Sequence, residues 1–392
     1  MKLVKLILLL VLTVLINGID AKLKLKAGTP HVFIPQHRPF ADSLMKQLEV
    51  KSGFGITVFA RNVCGARMLA VAKDSTVLVT CPDEGQVIAL KDTTSNGVAD
   101  KINIVVDFIQ GVHGIEVYDE NIYVATSRSI WLIKKDKDSY TAPELIVDDL
   151  PPGGQHPNRT LGIGPDEKLY ISIGSECNAC IEDNPEHATL IKMDLDGKNR
   201  TLHAKGLRNT IGFDWHPETG QMWGMDQGSD NRGDTLPPEE LNLIEEGRDY
   251  GWPFVFGKWK IDPILGLPAK RKMSGTDYLL STTPSVMEYS AHNSPVGFVF
   301  YKGEQFPAYY KNGAFITFRG SWNRRIPEGY KVVFLKFNEG KPVQFEDFIK
   351  GFLIENKTAQ FGRLAGIAVL PDGSLIFCDD SNGMIYRVFR RR

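Results

Sequence analysis

Two blocks of this sequence gather side chains able to do chemistry. The first, GLRNTIGFDWHPETGQMWGMDQGSD, runs from Gly206 to Asp230. It offers the planar donor fork of Arg208, the donor and acceptor of Asn209, and the amide of Gln227 followed by Gly228 and Ser229. Cationic and amide groups around one turn of sheet suit an anionic, planar ligand. Backbone carbonyls beside a glycine suit calcium, which takes several oxygen ligands. Asp226, Asp230, Asp234 and Glu240 are the nearby carboxylates. The second block places His156 in a Pro-Gly-Gly-Gln-His-Pro loop just ahead of a strand. A histidine at such a loop end has a pKa suited to a general base, and the plain alternative is a hydrogen-bonding surface histidine. Further on, Arg319-Gly-Ser-Trp-Asn-Arg supplies Arg319 and Trp322, and Arg363 opens the last repeat. The indole is able to stack on an aromatic ligand, and the arginines to hold its acid groups.

The elements that must position these groups repeat. A polar turn followed by alternating apolar residues occurs six times, centred on Leu78, Tyr123, Tyr170, Trp223, Phe315 and Ile376. The turn residues are Asp, Asn, Thr and Gly, which suit tight reversals, and the alternation buries one face of each strand. Successive separations are 45, 47, 53, 92 and 61 residues. A repeat of roughly 40–50 residues made of short strands marks a propeller blade. The sequence therefore predicts an all-β, six-bladed β-propeller as one domain over 22–392, with an insertion within about 234–289 that fills the long gap. Helical patterning is scarce; Phe40–Glu49 and Pro238–Glu245 are the best candidates.

Forty-six basic and 47 acidic residues leave a net charge of -1, which gives no basis for nucleic-acid binding. Two lysines, the apolar run Leu6–Ile16 and a small or polar exit read as a signal peptide over 1–21, too short to span a bilayer comfortably. The mature chain is then expected to be secreted or luminal, with no membrane span. Five cysteines in that setting allow pairing. Cys177 and Cys180 form a CxxC with no second pair nearby, which favours a local disulfide over zinc, and the odd count leaves one thiol unpaired. Sequons stand at Asn158, Asn199 and Asn356.

The order and spacing of several motifs resemble a known family. They are His156-Pro-Asn-Arg-Thr-Leu, Gly174-Ser-Glu-Cys-Asn, Gly206-Leu-Arg-Asn, Trp215-His-Pro-Glu-Thr-Gly, Asp249-Tyr-Gly-Trp-Pro, Ser294-Pro-Val-Gly-Phe, Gly320-Ser-Trp-Asn-Arg and Pro371-Asp-Gly-Ser-Leu. From Ile56 to Val388 the chain resembles the soluble pyrroloquinoline quinone (PQQ)-dependent sugar dehydrogenases, especially the sorbosone dehydrogenase branch and its glucose dehydrogenase relatives. The resemblance implies PQQ and calcium above the propeller channel, a sugar substrate and an unspecified electron acceptor. By motif, His156 would be the base and Arg208 would steady developing charge. Asn209, Gln227, Arg319, Trp322 and Arg363 would bind the cofactor, and Gly228 and Ser229 would offer carbonyls to calcium.

The chain departs from that pattern in three places: Arg319 stands for a histidine, Ala365 for a second cofactor arginine, and Ser175 for the aspartate that supports the catalytic histidine. These departures motivate the alternative of a non-catalytic extracellular propeller that binds a protein or glycan. A calcium-dependent lactonase-type hydrolase ranks last, because the other blade ends lack matching acids.

Overall fold

A computed structural model describes residues 26–137, 139–268 and 274–391. The expected signal segment, 1–21, lies outside the described residues. Six antiparallel sheets stand around a ring, and each of the six strand signals is the second strand of its sheet. The innermost strands are Leu69–Val71, Gly114–Tyr118, Arg159–Ile163, Gly212–Trp215, Pro295–Phe300 and Leu364–Val369, and each packs on the next until the last meets the first. The ring closes through the chain's early residues: Phe54–Ala60 is the outer strand of the last blade, with Phe54 opposite Arg390 and Ile56 opposite Val388. This pairing gives the closing blade its fourth strand and covers the outward edge of its third, Met384–Arg390.

The second strands carry the core. Val77–Cys81, Leu169–Ile173, Met222–Asp226, Ala314–Phe318 and Leu375–Asp379 are buried throughout, since both faces lie against neighbouring blades. Between the fifth and sixth blades the filling is aromatic, with Phe54 edge-on to Phe306 at 4.7 Å and to Phe348 at 5.0 Å. A central channel of about 540 Å³ is lined by Leu69, Ile115, Leu161, Phe213, Phe298 and Ile367, one residue from each innermost strand.

The 92-residue separation is taken up inside the fourth blade. Its third strand is Glu239–Ile244 and its fourth is Met287–Tyr289; the hairpin Val255–Phe256/Lys260–Ile261 and the helix Gly275–Ser281 lie between them. Pro238–Glu245 is therefore strand rather than helix. Ladders to Met222–Asp226 on one side and Met287–Tyr289 on the other override its weak helical pattern. Within Phe40–Glu49 only Asp42–Met45 is helical, and Glu49 pairs with Lys350 instead. No helix among the described residues is long and apolar enough to cross a membrane.

Candidate functional site

Antiparallel pairing puts the start of each innermost strand and the end of its neighbour at the same end of the blade. Arg67, His113, His156, Arg208, Asn209 and Arg363 precede innermost strands, while Ser175, Gln227, Arg319 and Asp380 follow second strands. All of them consequently lie on one face of the ring. In two blades the final residue of the second strand fixes the start of the first. Asp226 accepts the backbone N–H groups of Arg208 (2.9 Å) and Asn209 (2.8 Å), and Asp379 accepts that of Arg363 (2.8 Å). Burial pushes the Asp226 carboxyl up to about 6, even though these donors favour its charged form.

His156 is held from below. Gly174 leaves room for it: a Cβ there would lie 2.5 Å from the His156 Cβ and 2.8 Å from Asn209 Oδ1. The imidazole Nδ1 sits 2.9 Å from the Ser175 hydroxyl and 3.1 Å from the Ser175 carbonyl oxygen. That hydroxyl donates its single proton to the Cys177 carbonyl at 2.7 Å. Both neighbours of Nδ1 are thus acceptors, so Nδ1 carries the ring proton and Nε2 presents its lone pair. Burial, and then the nearby Arg208 charge, pull the imidazole down to about 3. Below it, the fully buried Arg159 donates to the His156 carbonyl at 2.8 Å.

Arg208 adjoins this histidine and is 2% exposed. Its guanidinium donates to the Asn178 carbonyl and side chain, to Asp230 at 3.0 Å and to the Gln227 carbonyl, leaving one of its five N–H groups unused. Asn209 donates to the Gln227 side chain at 3.1 Å, and Gln227 donates onward to the Pro295 carbonyl at 2.7 Å. Gly228 gives its N–H to Glu239, and the Ser229 hydroxyl accepts from the Trp252 indole. Among the described residues no hydrogen bond ends on the carbonyls of Gly228 or Ser229. Two orphan carbonyls side by side fit a hard cation.

Of the carboxylates named from sequence, Asp226 and Glu240 line the same small cavity as Gly228 and Ser229, but each of the four already has partners. Asp226 is spent on backbone N–H groups and the Thr210 hydroxyl, and Asp230 on Arg208 and Asn323. Asp234 pairs with His31 at 2.8 Å, and Glu240 turns into the inserted segment to accept the Gly257 N–H. Glu239, unremarked in the sequence, is 2% exposed and accepts from Gly228 and Ser294. Burial pushes it up to about 8.

A second wall is cationic. Asp380 accepts a bidentate pair from Arg319 at 2.8 and 3.1 Å, and one bond from Arg67 at 2.5 Å. Arg363 lies in the electrostatic field of both arginines, and its buried Nε has no hydrogen-bond partner among the described residues. Three guanidinium groups share one carboxylate, and burial followed by mutual repulsion lowers the Arg363 pKa. Such an excess of buried positive charge with an orphan donor fits a multiply charged acid. Arg67 escaped the sequence reading, although it stands just ahead of an innermost strand as Arg363 does. Arg67 also donates to His113 Nε2 at 3.1 Å, His113 Nδ1 donates to the Arg159 carbonyl, and Arg159 reaches His156. Buried polar bonds therefore link the two walls.

Trp322 is 40% exposed, and its carbonyl accepts the Phe33 N–H. Ala365 is fully buried. Cys177 pairs with Cys180 and Cys64 with Cys81, while Cys378 is free in the core, where burial pushes its thiol up. Asn199 and Asn356 are exposed, and Asn158 is half-buried beside His156.

A protein of Borreliella burgdorferi, described only as uncharacterized, is 31% identical over 366 residues, covering 89% of this chain and 92% of its own. The calcium structure of Trichoderma reesei Carbohydrate-Active Enzymes Family AA12 superposes with a TM-score of 0.75 at 19% identity, covering 88% of this chain and 97% of that one. The holo form of the pyranose dehydrogenase PQQ domain from Coprinopsis cinerea gives 0.74 at 17%, covering 91% and 98%. These two likenesses establish a shared fold, that of the soluble PQQ-dependent sugar dehydrogenase propellers. The TrAA12-like family itself matches residues 48–391, nearly the whole ring with its His156 and arginine walls, and the chain belongs to that family.

Proposed function

We propose that this protein is a secreted PQQ- and calcium-dependent oxidoreductase that oxidises a sugar or related alcohol or aldehyde at the mouth of the ring. The observation that carries this reading is the pairing, on one face, of a neutral histidine with a free Nε2 and an arginine wall of excess positive charge. Arg67, Arg319 and Arg363 would hold the quinone carboxylates. In this reading Arg67 and Arg319 supply the charge that Ala365 does not. Asn209, Gln227 and Trp322 would complete the cofactor wall, and the carbonyls of Gly228 and Ser229 would hold calcium. PQQ, when bound beside calcium, supplies the acceptor for the substrate's hydride.

The chain's own residues do the rest. His156 Nε2 takes the substrate hydroxyl proton while Ser175 keeps the ring in the productive tautomer. The unused N–H of Arg208 faces developing negative charge, and its four other bonds hold it without reorganisation. Support for sugar chemistry comes from the pyranose dehydrogenase likeness. Two disulfides agree with an oxidising compartment. The test is reconstitution of the purified mature chain with PQQ and calcium, followed by dye reduction on a panel of aldoses. Saturable PQQ binding with turnover on at least one sugar is expected. A folded protein that neither binds PQQ nor reduces the dye rejects the reading.

A further inference from the structure

The loop between the second and third strands of the third blade, residues 174–188, holds a group that the oxidoreductase reading leaves unused. His187 is 4% exposed. Its Nε2 lies 2.7 Å from the Pro152 carbonyl, which only accepts, so Nε2 carries a proton and Nδ1 is the ring atom turned toward the two glutamates. Among the described residues Nδ1 makes no close hydrogen bond; it lies 3.4 Å from Glu182 Oε2 and 3.8 Å from Glu176 Oε2. Glu182 Oε2 is likewise buried and, among the described residues, has only that long contact, while the other oxygen of the carboxylate accepts the Glu176 N–H at 2.9 Å. One ring nitrogen and two carboxylate oxygens therefore converge, and a metal ion binding there would take the place of a proton on Nδ1.

We infer that Glu176, Glu182 and His187 form a site for a divalent transition-metal cation of the zinc type, distinct from the calcium position at Gly228 and Ser229. A tetrahedral ion with bonds of about 2.0–2.1 Å requires ligand atoms about 3.3–3.5 Å apart; the His187–Glu182 separation of 3.4 Å meets this, and the half-exposed Glu176, at 3.8 Å, would close in by a few tenths of an ångström. An imidazole in the set selects against calcium and magnesium. Metal-bound histidines characteristically give their second ring N–H to a carbonyl, as His187 gives Nε2–H to Pro152. Half of the Glu176 side chain is exposed, which opens a path for the ion and room for a water as fourth ligand. The neighbouring sulfurs of Cys177 and Cys180 are spent on their disulfide.

The site braces the histidine loop. Besides the Pro152 bond, the Glu176 carbonyl accepts the Gln155 N–H at 2.7 Å, and Ser175 accepts the His156 N–H. Gly154 packs so closely that a Cβ there would meet the Glu176 Cα at 2.5 Å. An ion joining Glu176 and Glu182 to His187 would lock both sides of that loop. Its effect on His156 rests on the oxidoreductase reading, but its binding does not.

The test is calorimetric titration of the tag-free, metal-stripped full chain with zinc, in the absence of PQQ, alongside thermal unfolding with and without zinc. One zinc per chain and a raised Tm are expected. Glu176→Gln, at the exposed ligand, and Glu182→Gln should each weaken binding at least tenfold and shrink the Tm rise. Absence of zinc uptake by the unmodified chain overturns the inference, and so does uptake that all of Glu176→Gln, Glu182→Gln and His187→Gln leave unchanged. Glu176→Gln lies at the surface, so it keeps the test readable if a buried variant fails to fold.

Discussion

The Ser175 hydroxyl accepts from His156 Nδ1 at 2.9 Å because its own proton is committed to the Cys177 carbonyl. A neutral serine thus sets the tautomer at a position where the resembled enzymes carry an aspartate. It does so without adding negative charge, so only the bond to the Ser175 carbonyl works against the downward pull of burial and Arg208 on the imidazole, and it offsets that pull in part.

His156→Ala is therefore expected to lower kcat by about 10²–10⁴-fold, the range for loss of a general base. PQQ affinity should hold. Ser175→Ala should cost less, because the Ser175 carbonyl still accepts Nδ1–H. Steady-state kinetics beside a PQQ titration separates the two effects; equal losses in both variants would contradict these roles.

The pH profile follows from the same bonds. His156 and His113 are both held near 3, with burial as the first cause, against about 6.5 in an unfolded chain. Between those values the unfolded state takes up protons that the folded state refuses. The stability these residues contribute is complete above about pH 6.5 and is lost as pH falls toward 3. The base itself stays unprotonated across that window, so the acidic limb of kcat/KM belongs well below 6.5. A limb centred at 6.5, measured where circular dichroism shows the protein folded, would refute the assignment. Glu239, pushed up to about 8, acts in the opposite sense and costs stability as pH rises through that value.

Loss of the orphan donor at Arg363 should be felt in cofactor binding. Hydrogen bonds to charged groups contribute about 1.5–3 kcal/mol. Arg363→Ala and Arg67→Ala should each weaken PQQ binding by roughly tenfold to a hundredfold. Fluorescence titration of the apoprotein reads this directly. Asp380→Asn should lower Tm, since three guanidinium groups then lack a counter-charge, and added PQQ should restore part of the loss.

The two disulfides should differ in weight. Cys64–Cys81 closes a 17-residue separation and Cys177–Cys180 one of 3. Loop-closure entropy assigns about 3 kcal/mol to the first and about half that to the second. Paired Cys→Ser variants compared by denaturant unfolding check the order. A larger loss from the Cys177–Cys180 pair would point to a local role at the site rather than an entropic one.

How much of this was legible in the chain depends on distance along it. Six alternating strands punctuated by Asp, Asn, Thr and Gly turns specify their own period, and a strand period near 45 residues leaves few architectures besides a propeller. His156, Arg208 and Arg363 were visible because each stands directly before a strand. Pro238–Glu245 was misread as helix because its burial comes from neighbouring strands, which no local pattern records. The partnership of Arg67, Arg319 and Arg363 around Asp380 was hidden for the same reason: Arg67 and Asp380 are 313 residues apart and meet only when the last blade closes on the first. Local periodicity set the blades and the residue types at their ends. Closure of the ring decided which charges face each other, because electrostatic partnership depends on separation in space, and only the folded ring fixes it.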